Sequence, residues 1–288
     1  MVTSHPSLPI RCLTRSVLGE LAFSEAFGSV RNRKTDSWIA TILQAIKFGA
    51  YDSAIHRLSP RFWKIMPYFI PSKITKEALN HVNQSKAKIL TRMEKGDLER
   101  RDFCSYLFEQ KEELGLTDWN LAGYANVLIM AGSETSAALL SGLTYYLCRT
   151  REVYKKLKDE VRGRFKTADE ITSQTATFPY LTAVIQEALR IYPPSPIAAP
   201  RITPKAGGMV AGVFVPGGVG FVSTASLKSL TILQITVGVN MWSVTHNPNN
   251  FKDPYVFRPE RWLDPNCTDN LSASQPFLLG PRACMGQK

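Results

Sequence analysis

Phe277-Leu278-Leu279-Gly280-Pro281-Arg282-Ala283-Cys284-Met285-Gly286 is the stretch on which the reading of this chain turns. Two glycines and a proline this close together break both helix and strand, so the segment is a loop. Gly280 and Gly286 allow a tight turn and a close approach of backbone to a bound group, which a Cβ would obstruct. Cys284 is its one soft ionisable side chain, and a cysteine thiolate is a metal ligand as well as a nucleophile. Arg282, two residues earlier, carries a planar fork of donors suited to carboxylates. Two other readings compete: a free cysteine packed as a small hydrophobe in a Gly/Pro turn, and a Cys284/His246 nucleophile pair for acyl transfer.

Three motifs precede the loop. Ala131-Gly132-Ser133-Glu134-Thr135-Ser136 interrupts an apolar stripe with a small pair, then an acid and an alcohol. Glu187-Ala188-Leu189-Arg190 sets an acid and a base three apart, on one face of a helix. Phe257-Arg258-Pro259-Glu260-Arg261-Trp262 follows. Taken singly these are weak signals, equally compatible with a small-residue helix crossing and with surface ion pairs.

Taken in this order, the four motifs resemble those of the cytochrome P450 family, over residues 21–288. The resemblance implies a mostly α fold with a long central helix and a small β region. It makes Cys284 the proximal haem ligand, its thiolate pushing electron density toward the opposite axial position. Gly280 and Gly286 then admit the porphyrin, Phe277 packs on the sulfur side, and Arg282 and Arg201 (in Ala199-Pro200-Arg201) bind the propionates. On the other face, Gly132 leaves room for dioxygen, Thr135 hydrogen-bonds it, and Glu134 feeds protons through water. Glu187, Arg190 and Arg261 form a buried charge network that fixes the loop before Cys284. The implied activity is a haem-thiolate monooxygenase that inserts one oxygen atom of O₂ into a lipophilic substrate. Electrons would come from NADPH-cytochrome P450 reductase, since the chain has no flavin or dinucleotide fingerprint. Family members that isomerise peroxides usually lose the acid and alcohol pair, present here as Glu134 and Thr135. A truncated, haem-free and inactive fragment of the family is the alternative from another class. Residues 215–218 and 242–248 are similar to fungal members that serve secondary metabolism or detoxification. The family also implies the cytosolic face of the endoplasmic reticulum membrane, reached through an anchor not written in this sequence.

Set against the family, residues 1–20 read as an atypical N-terminus and residues 21–288 as a partial domain, lacking an N-terminal portion and the long helix that normally follows the cysteine. Residues 220–236 do not fit: removing them joins Gly217-Gly218-Val219 to Val237-Gly238-Val239-Asn240 and restores a strand-turn-strand text. They read as an insertion or a retained intron that kept the frame. Sequencing of the mature transcript should lack those codons, and their presence would overturn the reading.

The composition is that of an ordinary globular chain, with 44% hydrophobic and 20% charged residues in 288. The net charge of +11 is spread along the sequence rather than gathered in blocks, which speaks against a nucleic-acid partner and for a basic surface that steers acidic partners or anionic lipid. Five cysteines, with no C-x-x-C pair, do not form a disulfide scaffold or a zinc site. No run reaches the about 18 apolar residues of a membrane span. Arg11 and Arg15, with no acid before Glu20, give residues 1–19 a likeness to a transit peptide.

Helical periodicity runs over residues 38–58, 73–95, 101–113, 117–149, 151–165 and 179–192, with Thr117 as a candidate N-cap. The fourth of these, about 50 Å long and mostly apolar between residues 121 and 147, is expected to run buried through a domain. Residues 209–215, followed by Pro216-Gly217-Gly218, read as a small strand and turn. Asn126, Met130, Ala131 and residues 194–199 are candidates for a pocket lining, and Ile197, Ala198 and Ala199 suit an apolar ligand.

Overall fold

An aspartate that caps one helix while holding a buried arginine organises the N-terminal half. In the computed structural model, which describes residues 8–25, 49–52, 54–55, 70, 72–96, 101–197, 200–217 and 236–287, the chain forms two compact units, Met1–Ser141 and Gly142–Lys288. The first contains α1 (Leu8–Phe23), α2 (Ser72–Glu94), α3 (Phe103–Glu109) and the start of α4 (Asp118–Arg149). Asp102 accepts the Ser105 backbone N–H at 2.8 Å while Ser105 Oγ receives the Asp102 N–H, a capping box that starts α3. The same carboxylate takes Arg92 Nε at 2.6 Å, and a second Arg92 nitrogen donates to the Gly96 carbonyl at 2.7 Å. Burial alone would raise the Asp102 pKa, but hydrogen bonds from Arg92, Ser24 and Ser105 outweigh it and hold the carboxyl below its ordinary value. Around this pair Leu18, Ala22, Phe23, Ile89, Cys104, Leu121, Ala125 and Ile129 make one apolar cluster.

Two helix expectations are revised. The helix expected over 101–113 stops at Glu109, because Gln110 caps it and residues 110–115 turn through Gly115 at φ +59°. Within 38–58 only residues 49–52 and 54–55 are described, and they are helical; the rest lies outside the described residues. α4 starts as expected: Thr117 Oγ1 accepts the Asn120 N–H at 3.3 Å and Asn120 Oδ1 accepts the Thr117 N–H at 2.9 Å. It is not buried throughout, however. Leu121, Ala125, Ile129, Ser133 and Ala137, four residues apart, form one buried stripe, whereas Trp119, Tyr124, Val127 and Tyr145 are exposed. Ala122 and Leu143 are buried as well and Met130 packs on the apolar cluster, so the covered part of the helix is wider than one stripe but does not encircle it. By length and composition alone α4 is also long and apolar enough to cross a membrane.

The second unit holds the end of α4, α5 (Arg151–Arg164), α6 (Pro179–Ile191), α7 (Met241–Thr245) and two small sheets. β1 (Arg201–Ile202) pairs antiparallel with β4 (Thr236–Val237), Arg201 opposite Val237. β2 (Gly208–Val210) and β3 (Val213–Val215) form a hairpin. The stretch 209–215 is therefore not one strand: Ala211 and Gly212, both at positive φ (50° and 80°), turn the chain in its middle, as a two-residue hairpin loop requires. Residues 220–235 of the expected insertion lie outside the described residues. α6 starts on Pro179, whose fixed φ suits the first helical position, and two backbone N–H groups of its first turn donate to Glu160 at 3.1 Å. Tyr192, one residue past α6, lies so close to α4 that a Cβ at Gly142 would sit 2.4 Å from its ring.

Candidate functional site

Glu187 is fully buried, and five donors converge on its two oxygens. Arg190, one turn later in α6, binds it bidentately at 2.8 and 2.9 Å. Arg261 Nε donates at 3.2 Å, the Trp262 indole N–H at 2.9 Å and the Arg258 backbone N–H at 3.0 Å. The two guanidiniums are both buried and lie over Phe251, with centroid distances of 5.1 and 5.9 Å, a cation–π arrangement on a fully buried ring. Arg190 also donates to the carbonyls of Thr245 and Pro254 at 2.9 and 2.8 Å. So the three residues expected to meet do meet, and they tie α6, the end of α7 and the Pro259–Trp262 turn together.

A fourth member escapes sequence reading. Asp269 pairs with the other end of the Arg261 guanidinium and takes the Lys252 N–H at 2.7 Å. Burial would raise its pKa, but these donors hold it below the ordinary value. Asp269 sits in a polar, aperiodic run with no local signal of this role. A cavity of about 210 Å³ beside it is lined by Arg258, Glu260, Arg261 and Asp264 among others.

Past this network the chain turns into the cysteine loop. Leu278 and Gly280 both have positive φ (61° and 76°), so Gly280 sits where its missing side chain is needed. A short 3₁₀ turn, Gly280–Arg282, follows. The Cys284 N–H then donates to the Phe277 carbonyl at 2.7 Å, closing the loop and leaving the thiol exposed. A Cβ at Gly286 would stand 3.7 Å from the Cys284 sulfur, an ordinary contact. Phe277 is half-buried, and Arg282 and Arg201 are exposed, Arg201 donating to the Pro200 carbonyl at 3.0 Å. Ile197 is exposed, while Ala198 and Ala199 lie outside the described residues. His246 is committed elsewhere: its Nδ1 lies 2.8 Å from the Trp242 carbonyl and its ring stacks on Trp242.

The acid and alcohol segment belongs to α4 within the first unit. Thr135 Oγ1 donates to the Ala131 carbonyl one turn back, at 2.7 Å, the usual resting bond of a helical hydroxyl. Glu134 faces Arg11 of α1 with Nε 3.7 Å from its carboxylate. Gly132 receives Leu18: a Cβ there would come 2.9 Å from a Leu18 methyl. Met130 packs on the apolar cluster of this unit, and Asn126 is half-buried.

The donor set fits an iron porphyrin. An accessible thiol on a loop fixed by its own backbone offers a soft ligand, and the exposed guanidiniums of Arg282 and Arg201 suit carboxylates. The family comparison agrees with this chemistry. The family model for cytochrome P450 matches residues 3–229 and 232–288. Among curated relatives, the chain is similar to cytochrome P450 monooxygenase aba2 of Botryotinia fuckeliana (strain B05.10), 38% identical over 282 residues, covering 95% of this chain and 50% of that protein. It is similar also to cytochrome P450 monooxygenase FUM2 of Gibberella moniliformis (strain M3125 / FGSC 7600), 37% identical over 277 residues, covering 95% and 55%. A third relative is cytochrome P450 monooxygenase astA of Talaromyces wortmannii, 35% identical over 308 aligned positions, covering 100% and 59%. The chain spans about half the length of the curated relatives it matches. A family match along nearly its whole length makes this chain a member of the cytochrome P450 family.

Proposed function

We propose that the protein is a haem-thiolate monooxygenase that inserts one oxygen atom of O₂ into a lipophilic organic substrate, with Cys284 as the thiolate that would hold the haem. The observation that carries this is the ordered turn that presents Cys284: Gly280 at positive φ and the Cys284 N–H closed on the Phe277 carbonyl at 2.7 Å. The overall balance is substrate, O₂, two electrons and two protons in, and hydroxylated substrate and one water out. Bound haem supplies the activation of dioxygen and the transfer of one of its atoms. The chain's own residues hold and protonate: Arg282 and Arg201 offer charge-assisted bonds to propionates. Glu187, Arg190 and Arg261 fix the backbone that leads to the loop. Thr135, whose hydroxyl keeps two lone pairs while bonded to Ala131, and Glu134 relay protons to the oxygen that leaves as water. The two electrons come from an NADPH-dependent reductase, and the working place is the cytosolic face of the endoplasmic reticulum membrane.

A second reading is favoured by the exposure of Cys284, Arg282 and Met285: a chain whose thiol stands open to solvent holds no haem and is inactive. The two are separated by supplying haem-loaded protein with reductase, NADPH and isotopically heavy dioxygen over a panel of apolar compounds. The proposal expects a product carrying one heavy oxygen atom. A haem-loaded protein that consumes NADPH yet yields no labelled product from any compound would contradict it.

A further inference from the structure

One face of α1 is shaped to the acid and alcohol segment of α4. Arg11, Thr14 and Leu18 are three and four residues apart, the spacing that puts helical side chains in one row. Each meets one consecutive residue of the segment. Leu18 fills the space left by the missing side chain of Gly132. Thr14 Oγ1 lies 3.2 Å from the Ser133 carbonyl and 3.2 Å from the Arg11 carbonyl. Arg11 Nε stands 3.7 Å from a Glu134 carboxylate oxygen, with 30% and 14% of the two side chains exposed. At that separation the contact is an ion pair and not a hydrogen bond. The carboxylate oxygens are therefore held by charge while their hydrogen-bonding capacity stays open to water. Such a partly exposed pair is a poor staple for the fold, being worth little stability; its effect falls on where the carboxylate points.

We infer that Arg11 is a positioning residue: it holds the Glu134 carboxylate against α1, aimed for proton relay, and Thr14 and Leu18 fix the register. The inference rests on the proposed monooxygenase function. Protons delivered to the right oxygen let it leave as water with its partner atom in the product. Protons that arrive without that aim release hydrogen peroxide instead, from O₂, two electrons and two protons, with no product.

Two readouts test it on the full chain. Carbodiimide labelling of Glu134, referenced to exposed Glu113 and followed by mass spectrometry, needs no haem. Arg11→Gln should raise the relative labelling of Glu134 by roughly two- to fivefold, the span set by a pair of this exposure, and Arg11→Lys should restore protection. Equal labelling in all three would overturn the inference. In the haem-loaded protein, Arg11→Gln should shift electron flow from product toward peroxide with substrate affinity unchanged, and Arg11→Lys should reverse the shift. An unchanged partition would overturn it even if labelling rises. A chain that takes up no haem defeats the functional reading, while the labelling still decides whether the pair exists.

Discussion

At position 142 a single methyl group is too much. A Cβ there would come 2.4 Å from the Tyr192 ring, and the contact is with the near side of an aromatic ring and not with a flexible chain end. Gly142→Ala should cost about 1–3 kcal/mol through overpacking, read as a lower Tm; a Tm equal to wild type would show that Tyr192 moves away freely. The cysteines separate by the same logic of space and solvent. Burial pushes the Cys104 thiol up to about 12, and Cys12 is also buried, whereas Cys148 and Cys284 are exposed. Iodoacetamide should modify Cys148 and Cys284 in the folded chain and reach Cys104 only in denaturant. His81 gives the pH dependence. Burial first, and then the neighbouring Arg15 charge, lower its pKa from 6.5, so the folded state releases a proton that the unfolded state keeps. Stability is then full above the unfolded value and falls as pH drops from there toward the folded one, by up to about 1.4 kcal/mol per pH unit. Urea unfolding at about pH 7 and about pH 5 should show the fall, and His81→Asn should lessen it, the remainder coming from His246, whose buried imidazole is also held below its ordinary value.

Among the elements, the Glu187–Arg190–Arg261 network and α4 were the parts most open to sequence reading, for different reasons. The network is legible only because a family pattern joins residues more than seventy positions apart; spacing alone pairs Glu187 with Arg190 and stops there. Asp269 and the Trp262 indole complete it in space, and no local periodicity points to them. Thr117 as N-cap was readable from residue type and position. The burial of α4 was not, because its apolar residues surround it on all sides and only contacts decide which stripe is covered. The Ala211-Gly212 turn was missed because a strand-like run of apolar residues masks a two-residue loop that only φ values reveal. The network also makes a quantitative prediction. Glu187→Gln leaves the buried Arg190 guanidinium without its counter-charge and Arg261 with Asp269 alone, and should cost about 3–5 kcal/mol, measured by chemical denaturation. Less than 1 kcal/mol, the scale of a surface pair, would mean that water reaches the network.

For the whole molecule, two compact units and a chain half as long as its relatives frame what it can do. The hairpin exposes Met209, Val213 and Phe214, and β1 exposes Ile202, a concentration of apolar surface that drives association. The chain by itself should therefore self-associate in light scattering, and Phe214→Ser should reduce this; a monodisperse chain insensitive to Phe214→Ser would show the patch to be inert. The central claim is that Cys284 is the thiolate that holds the haem. Its most direct test is the absorption spectrum of the reduced protein under carbon monoxide, prepared with haem precursor, beside Cys284→Ser. The account predicts a thiolate-type Soret band in the wild-type chain that disappears in Cys284→Ser. The same band in both proteins would contradict it.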